Sequence, residues 1–147
     1  MELNIRGHNR LSIRNGILDF EKRLSEMDGA LVGEEATSLG ELKHSFSDGI
    51  YVRECVIRAG CVVVGKIHSE EHPVFLLKGR ARVLTETNGI EDLQAPWYGI
   101  SPAGTKRVVI SITETVWVTV HKNPTNSKDL KFIEDNVISK NYEQIRG

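Results

Sequence analysis

Residues 60–79 contain the side chains whose types and spacing could do chemistry. His68 and His72 are separated by three residues, and neutral imidazole nitrogens are common ligands of transition metals. Glu70 has the same strand parity as both histidines, so its carboxylate could act as a fourth metal ligand or as a general base. A glutamate beside Glu71 is more often a solvated loop carboxylate, and both interpretations stay open.

Strands must position these residues, because the sequence from Gly49 to His121 is rich in short β signals. Asn88-Gly89 favours the positive φ angles of a tight hairpin turn. Short strands at a spacing of roughly 8–12 residues are typical of an all-β sandwich or barrel. The predicted strands cover residues 51–57, 61–67, 74–77, 80–85, 90–93, 107–112 and 116–121.

Two segments resemble the motifs of the cupin superfamily. In residues 60–79 a strand rich in valine is followed by His-x-x-x-His and by an apolar strand ending in glycine, as in the first cupin motif. Pro102-Ala103-Gly104 resembles the second motif, in which Pro-x-Gly is followed three residues later by histidine. The resemblance covers about half of the chain. It implies a cupin double-stranded β-helix, a jelly-roll-like barrel that is often dimeric and holds a divalent metal or a small ligand. The fold alone names no reaction.

The sequence departs from the cupin pattern at the ligand positions. His72 falls where the family has its glutamate ligand, and His68 falls on the second histidine of the usual pair. Lys66 replaces the first histidine of that pair, and Arg107 stands where the second motif has its histidine. Two ligand positions therefore hold cations, which repel a metal ion.

His121 could replace the lost ligand. If the last hairpin turns about Glu114, His121 lies directly across from Arg107, and their Cβ atoms point to one face about 5 Å apart. His68, His72 and His121 would then form a three-nitrogen site with open positions, suited to zinc, iron, nickel or manganese. A turn shifted by one residue would instead point His121 away and leave a metal-free barrel.

Three further residues are candidates for ligand binding. Lys66 and Arg107 would bind an anion such as a carboxylate or phosphate if both faced inward, because a buried unpaired cation is costly. As ordinary surface charges they would bind nothing. Trp117 shares a strand face with His121, so it either lines the same cavity or fills the core. Cys55 and Cys61 are expected to be free buried thiols.

The predicted barrel, residues 48–123, is flanked by two arms. Residues 1–47 form an N-terminal arm with one amphipathic helix over residues 16–28, followed by a loop or linker with at most one short strand. Residues 124–147 contain a short closing helix that begins near Asp129, whose carboxylate can cap free backbone N–H groups. Both arms suit docking onto neighbouring subunits.

The overall composition excludes several partner classes. The chain has 147 residues, of which 39% are hydrophobic and 27% charged, as in a globular protein. Its formal net charge of −1 disfavours nucleic acid as a partner. No apolar run approaches the roughly 20 residues of a membrane span, and the N-terminus lacks the apolar core of a signal peptide. We therefore expect a soluble protein in a reducing compartment.

Two classes of function follow from these patterns. The segments 78–83, 101–107 and 115–121 are similar to small cupin-like proteins encoded by tailed bacteriophages. That resemblance implies an oligomeric binding or structural protein whose partners are its own copies and other phage particle proteins, in the bacterial cytoplasm or in the virion. The alternative is a metal-dependent cupin enzyme of isomerase, dioxygenase or lyase type that uses His68, His72 and His121. The loss of two ligand positions favours the first class, and whether the protein is an enzyme stays open.

Overall fold

The computed structural model describes residues 10–27 and 40–139. His8, the predicted helix stop at Asp28-Gly29 and the tail beyond Ser139 lie outside the described residues. The elements in chain order are α1 (Arg10–Ser25), β1 (Gly40–Ser47), β2 (Ile50–Ile57), β3 (Val62–Val64), β4 (Ile67–His68), β5 (His72–Lys78), β6 (Arg80–Thr85), β7 (Gly89–Gln94), β8 (Trp97–Ser101), β9 (Val108–Ser111), β10 (Thr115–Lys122), α2 (Leu130–Val137) and β11 (Ile138–Ser139).

Two antiparallel sheets enclose the core. One has five strands in the order β1-β2-β10-β5-β8, and the other has four in the order β3-β9-β6-β7. A small third sheet pairs β4 with β11. The predicted all-β class, with a helix near each end, is confirmed. Residues from both sheets fill the space between them: Ile57, Val74, Leu76, Ala81, Val83, Leu93, Val109 and Trp117.

Two strands extend the five-stranded sheet beyond the sequence prediction. β1, where we expected a loop or linker with one short strand, pairs with β2 along its whole length, so the sheet begins before residue 48. β8 pairs with β5 at the other edge. Pro96 and Pro102 stand on either side of β8, so they bound this edge strand without interrupting its ladder.

The predicted last hairpin is wrong, because its two strands belong to different sheets. β9 pairs with β3 and β6, whereas β10 pairs with β2 and β5. Arg107 is therefore not the cross-strand partner of His121. The chain also changes sheets at Gly79, where φ is 87° and a Cβ atom would collide with the carbonyl oxygen of Glu114. Only glycine fits that crossing.

The helix α1 packs against its own barrel. Ile17 is fully buried and packs with Leu84 and Val108. Arg14 donates two hydrogen bonds, of 2.7 and 2.9 Å, to the buried carboxylate of Glu86. This helix therefore packs within its own chain, and docking of the arms onto neighbouring subunits stays a prediction.

The helix α2 closes one end of the molecule. The Asp129 carboxylate accepts hydrogen bonds from the backbone N–H groups of Lys131 and Phe132, which confirms the predicted cap. Ile133 is buried, and β11, which follows directly, pairs with β4. Among the described residues, no helix has the length and apolar character that crossing a bilayer would require.

Candidate metal centre

Three different strands bring three histidines together. His72 begins β5, and His121 lies near the end of β10. Thr119 pairs with Val74, and the same register continued by two residues places His121 opposite His72. His68 arrives on β4, whose backbone is held by hydrogen bonds to the segment 102–105 that resembles the second cupin motif.

The histidine cluster is compact. The nearest ring nitrogens of His68, His72 and His121 all lie within 4.8 Å of one another. Their ring centroids are 4.5 Å apart for His68–His72, 4.6 Å for His72–His121 and 5.5 Å for His68–His121. Nitrogens bound to one zinc ion lie about 2.0–2.1 Å from it, so small ring rotations would bring all three to bonding distance.

All three imidazoles are neutral at pH 7. Burial lowers the pKa of His68 to about 2, with smaller contributions from the repulsion that protonated His72 or His121 would exert and from the positive charges of Arg107 and Arg53. Burial, the charge of His72 and that of Arg53 lower the pKa of His121 to about 3. Burial also lowers the pKa of His72. Each ring therefore keeps one nitrogen lone pair, the form that binds metals.

His72 presents one ring nitrogen that has no partner. Its Nδ1 lies 3.0 Å from the carbonyl oxygen of Glu70, which can only accept, so Nδ1 carries the proton and donates. The other nitrogen, Nε2, is buried without a hydrogen bond. A backbone carbonyl behind one imidazole nitrogen is the usual arrangement that orients a metal-binding histidine. The donor set therefore fits a transition metal.

His121 has a similar support. Its Nε2 lies 2.9 Å from the hydroxyl oxygen of Thr119. If Nε2 donates its proton to that oxygen, Nδ1 is left with the lone pair. Thr119 can thus fix the tautomer of His121 in the same way that the Glu70 carbonyl fixes that of His72.

Ser101 is a site residue that the sequence analysis missed. It is fully buried and pairs with His72 between β8 and β5, so both side chains point to the same face. Its hydroxyl oxygen makes no hydrogen bond. Within the described part of the chain, His72 Nε2 and Ser101 Oγ are the two buried side-chain polar atoms without a partner. Such atoms cost free energy unless a ligand satisfies them.

Three predicted ligand-binding residues do not reach the cluster. Lys66 is exposed and forms an ion pair with Glu134 of α2, so of the two alternatives for this residue the structure shows the surface charge. The Glu70 side chain is exposed, and this residue contributes its backbone carbonyl instead of its carboxylate. Trp117 fills the core, and its indole N–H donates to the Thr115 hydroxyl.

Arg107 is half-buried and close to the histidines, in agreement with the inward orientation that an anion site would need. It lines a cavity of about 190 Å³ together with Glu91, Trp97 and several threonines. A second cavity, of about 310 Å³, reaches His72 and His121 from the end of the five-stranded sheet. His72 and His121 therefore line the cavity of about 310 Å³.

The strand β2 places further side chains beside the histidine cluster, and the sequence analysis did not identify them. Tyr51 pairs with His121, and their rings stack with centroids 5.9 Å apart. The Tyr51 hydroxyl lies 2.6 Å from Nδ1 of His44, and burial raises the pKa of Tyr51. Arg53 stands two residues further on the same face. Only the pairing of β2 with β10 places these side chains beside the cluster, and that pairing has no local sequence signal.

Solved structures share this fold. The plu4264 protein of Photorhabdus luminescens aligns with a TM-score of 0.52 and 14% identity, over 75% of this chain and 93% of that one. The DMSP lyase DddQ of Ruegeria pomeroyi aligns with a TM-score of 0.55 and 16% identity, over 67% of this chain and 54% of that one. A Cupin 2 conserved barrel domain protein of Salinispora arenicola aligns with a TM-score of 0.49 and 14% identity, over 64% of this chain and 84% of that one.

No family model matches the sequence, and no curated protein sequence matches it. Identities of 14% and 16% show a shared fold and not a shared reaction. The two packed antiparallel sheets and the alignments with the Photorhabdus luminescens and Ruegeria pomeroyi structures agree on the fold. The chain has a cupin-like fold.

Proposed function

We propose that this protein is a metal-dependent cupin-fold protein that binds and transforms a small molecule. The observation that carries the proposal is the cluster of three neutral histidines, whose ligand atoms lie within 4.8 Å of one another. The unpartnered Nε2 of buried His72 supports it, because a metal would satisfy that atom. A zinc, iron, nickel or manganese ion held there would supply Lewis-acid chemistry.

The chain's own residues would orient the bound molecule. The Glu70 carbonyl and the Thr119 hydroxyl hold the rings of His72 and His121 in position. The Ser101 hydroxyl, buried and unpaired beside His72, can donate a hydrogen bond to an oxygen of the bound molecule.

The reaction type is open among isomerase, dioxygenase and lyase chemistry. One structure that shares the fold is a DMSP lyase, which makes lyase activity a reasonable first assay. Among the described residues 10–27 and 40–139 the cluster consists of three histidines, all of them neutral ligands. A metal bound there would keep its full positive charge, which favours polarisation of a substrate oxygen.

Elemental analysis of protein purified without chelator or affinity tag tests the metal centre. We expect about one transition metal per chain, with at least tenfold weaker binding in His68→Ala, His72→Ala and His121→Ala, because each removes one of three ligands. His44→Ala is the matched control, since His44 bonds to Tyr51 and lies outside the cluster. Absence of metal from the wild-type protein, or equal metal content in all variants, would contradict the proposal.

As a second candidate we propose an oligomeric binding protein. The supporting observation is an exposed apolar area on the outer face of the five-stranded sheet, where Tyr98 is 72% and Ile100 is 56% exposed. Contiguous exposed apolar surface commonly marks an interaction site. The association with phage particles rests on the sequence resemblance alone and stays a prediction. Both candidates can hold together, because the sheet face and the barrel interior are separate surfaces.

A further inference from the structure

We infer that the ligand of this barrel is a small organic carboxylate, held by Arg107 with Arg53 as a second cation beside the histidine cluster. The inference rests on the proposed function, because it names the substrate class for the same interior. The sequence analysis paired Arg107 with Lys66 as the inward cations. In the structure Lys66 is exposed and forms an ion pair with Glu134, and Arg53 is the second cation on the inner side.

Arg107 is a half-buried cation with an unfilled hydrogen-bonding capacity. Its side chain makes no hydrogen bond or ion pair with any residue of the described ranges 10–27 and 40–139. It lines the cavity of about 190 Å³. Glu91 lines the same cavity and attracts the guanidinium, but burial has the larger effect and lowers the pKa of Arg107. The acid therefore compensates the buried charge only in part.

Arg53 lies beside the cluster on the five-stranded sheet, which also carries His72 and His121. It lies on β2, two residues from buried Tyr51 and two from Cys55, which packs against the core, so its side chain is on the inner face. It is half-buried, and within the described part of the chain it too has no hydrogen bond or ion pair. It pairs with Thr119 of β10, two residues from His121, so it shares a sheet face with that histidine.

The charge balance of the interior calls for an anion. Arg107 and Arg53 carry two positive charges beside three neutral imidazoles, whereas Glu91 is the one acidic side chain among the described residues that line the cavity of Arg107. The exposed residue Glu71 lines the other cavity, which reaches His72 and His121. A divalent metal would add two further positive charges. Buried cations without counter-ions are costly, and the planar guanidinium fork matches the two oxygens of a carboxylate.

The cavity also limits the size of the ligand. At about 30 Å³ for each water-sized group, a volume of about 190 Å³ holds roughly six such groups. That space suits a carboxylate with a short carbon chain. Trp97 and Leu93 line the cavity and would contact the chain.

Propionate and its uncharged isostere propionamide provide the test. We expect propionate to bind the full-length protein in calorimetric titration, and propionamide to bind at least tenfold more weakly. Arg107→Met should weaken propionate binding roughly 10- to 100-fold, as expected for the loss of a hydrogen bond to a charged group. Arg53→Met should weaken it less, and Arg80→Met, which removes an exposed cation, should leave it unchanged.

Titrations of the chelator-treated and the zinc-loaded protein separate the two proposals. Arg107-dependent propionate binding in a protein that takes up no metal would sustain the anion site and refute the metal centre. Metal binding with no preference for propionate over propionamide, or equal losses in Arg107→Met and Arg80→Met, would overturn the anion site alone. No detectable propionate binding at 50 mM, on the order of the weakest specific affinities, would overturn it as well.

Should Arg107→Met fail to fold, Arg107→Lys keeps the charge and removes the fork. That variant is expected to bind propionate with an affinity between those of the wild-type protein and the uncharged variants, because lysine acts as a point charge and cannot form the bidentate contact. Unchanged propionate affinity in Arg107→Lys, together with equal binding of propionamide, would count against a guanidinium–carboxylate contact.

Discussion

At the scale of single residues, burial among cations keeps the three histidines neutral. An isolated histidine has a pKa near 6.5, whereas the pKa is about 2 for His68 and about 3 for His121 in the folded protein. The unfolded chain therefore takes up protons below pH 6.5 that the folded protein cannot bind. By linkage, the free energy of unfolding is greatest above pH 6.5 and falls as the pH drops toward the folded-state values.

This difference predicts acid sensitivity of the metal-free protein. Each histidine whose pKa is lowered by folding reduces the free energy of unfolding by about 1.4 kcal/mol for every pH unit below 6.5. His68 and His121 together should therefore lower it by about 4 kcal/mol between pH 7 and pH 5. Urea denaturation in the presence of chelator, at both pH values, measures the change. The double variant His68→Gln/His121→Gln should lose most of this dependence, and His44→Gln only a small part. An unfolding free energy equal at the two pH values would refute the expectation.

At the scale of elements, a buried ion pair fastens α1 to the barrel. The Glu86 carboxylate is almost inaccessible to solvent and accepts two hydrogen bonds from Arg14, with Arg10 at 3.4 Å as a further partner. Removing one partner leaves a buried charge uncompensated, which is more costly than losing a surface pair. Ile17 adds apolar burial in the same interface.

We therefore expect Arg14→Ala to lower the free energy of unfolding by about 2–4 kcal/mol, since Arg10 compensates only in part. Arg23→Ala, which removes an exposed pair with Asp19 on the same helix, should cost less than about 0.5 kcal/mol and serves as the control. Thermal and urea denaturation of both variants provide the comparison. Equal losses would mean that the Glu86 contact is no more stabilising than a surface pair.

The elements that the sequence predicted well are those with local signals. The hairpin of β6 and β7 follows from Asn88-Gly89, and the start of α2 follows from the capping carboxylate of Asp129. Pairing between distant strands has no such signal. The sequence therefore indicated His121 as a third site residue but placed it opposite Arg107, whereas β10 and β5 place it beside His72.

The same limitation explains the missed site residues. Ser101 and Arg53 are ordinary polar residues in the sequence, and only the registers of β8 with β5 and of β2 with β10 turn them toward the histidines. Lys66 occupies a position where the cupin pattern has a ligand, yet α2 offers Glu134 outside the barrel and attracts it there. The ion pair with Glu134, which is distant in sequence, therefore holds the Lys66 side chain outside the barrel.

At the scale of the whole molecule, the two faces of the five-stranded sheet differ in kind. The inner face carries His72 and His121, and the outer face is apolar across neighbouring strands. Phe75 and Tyr98 pair directly, with ring centroids 6.0 Å apart, and Val118 pairs with Phe75 from the other side. Ile100 continues this surface along β8 and is 56% exposed. A sheet face of this composition would be buried favourably by a second copy of itself.

We propose that two copies of the 16.5 kDa chain associate through this outer sheet face. The wild-type protein should sediment as a dimer at micromolar concentration, and Ile100→Lys should sediment as a monomer, because two like charges would face each other across a two-fold axis. Leu11→Lys is the matched control, since Leu11 is an equally exposed apolar residue on α1. A monomeric wild-type protein would refute the dimer, and a dimeric Ile100→Lys would place the interface elsewhere. Metal content measured in the monomeric variant would then show whether the barrel site is complete within one chain, as the three histidines on β4, β5 and β10 of a single chain require.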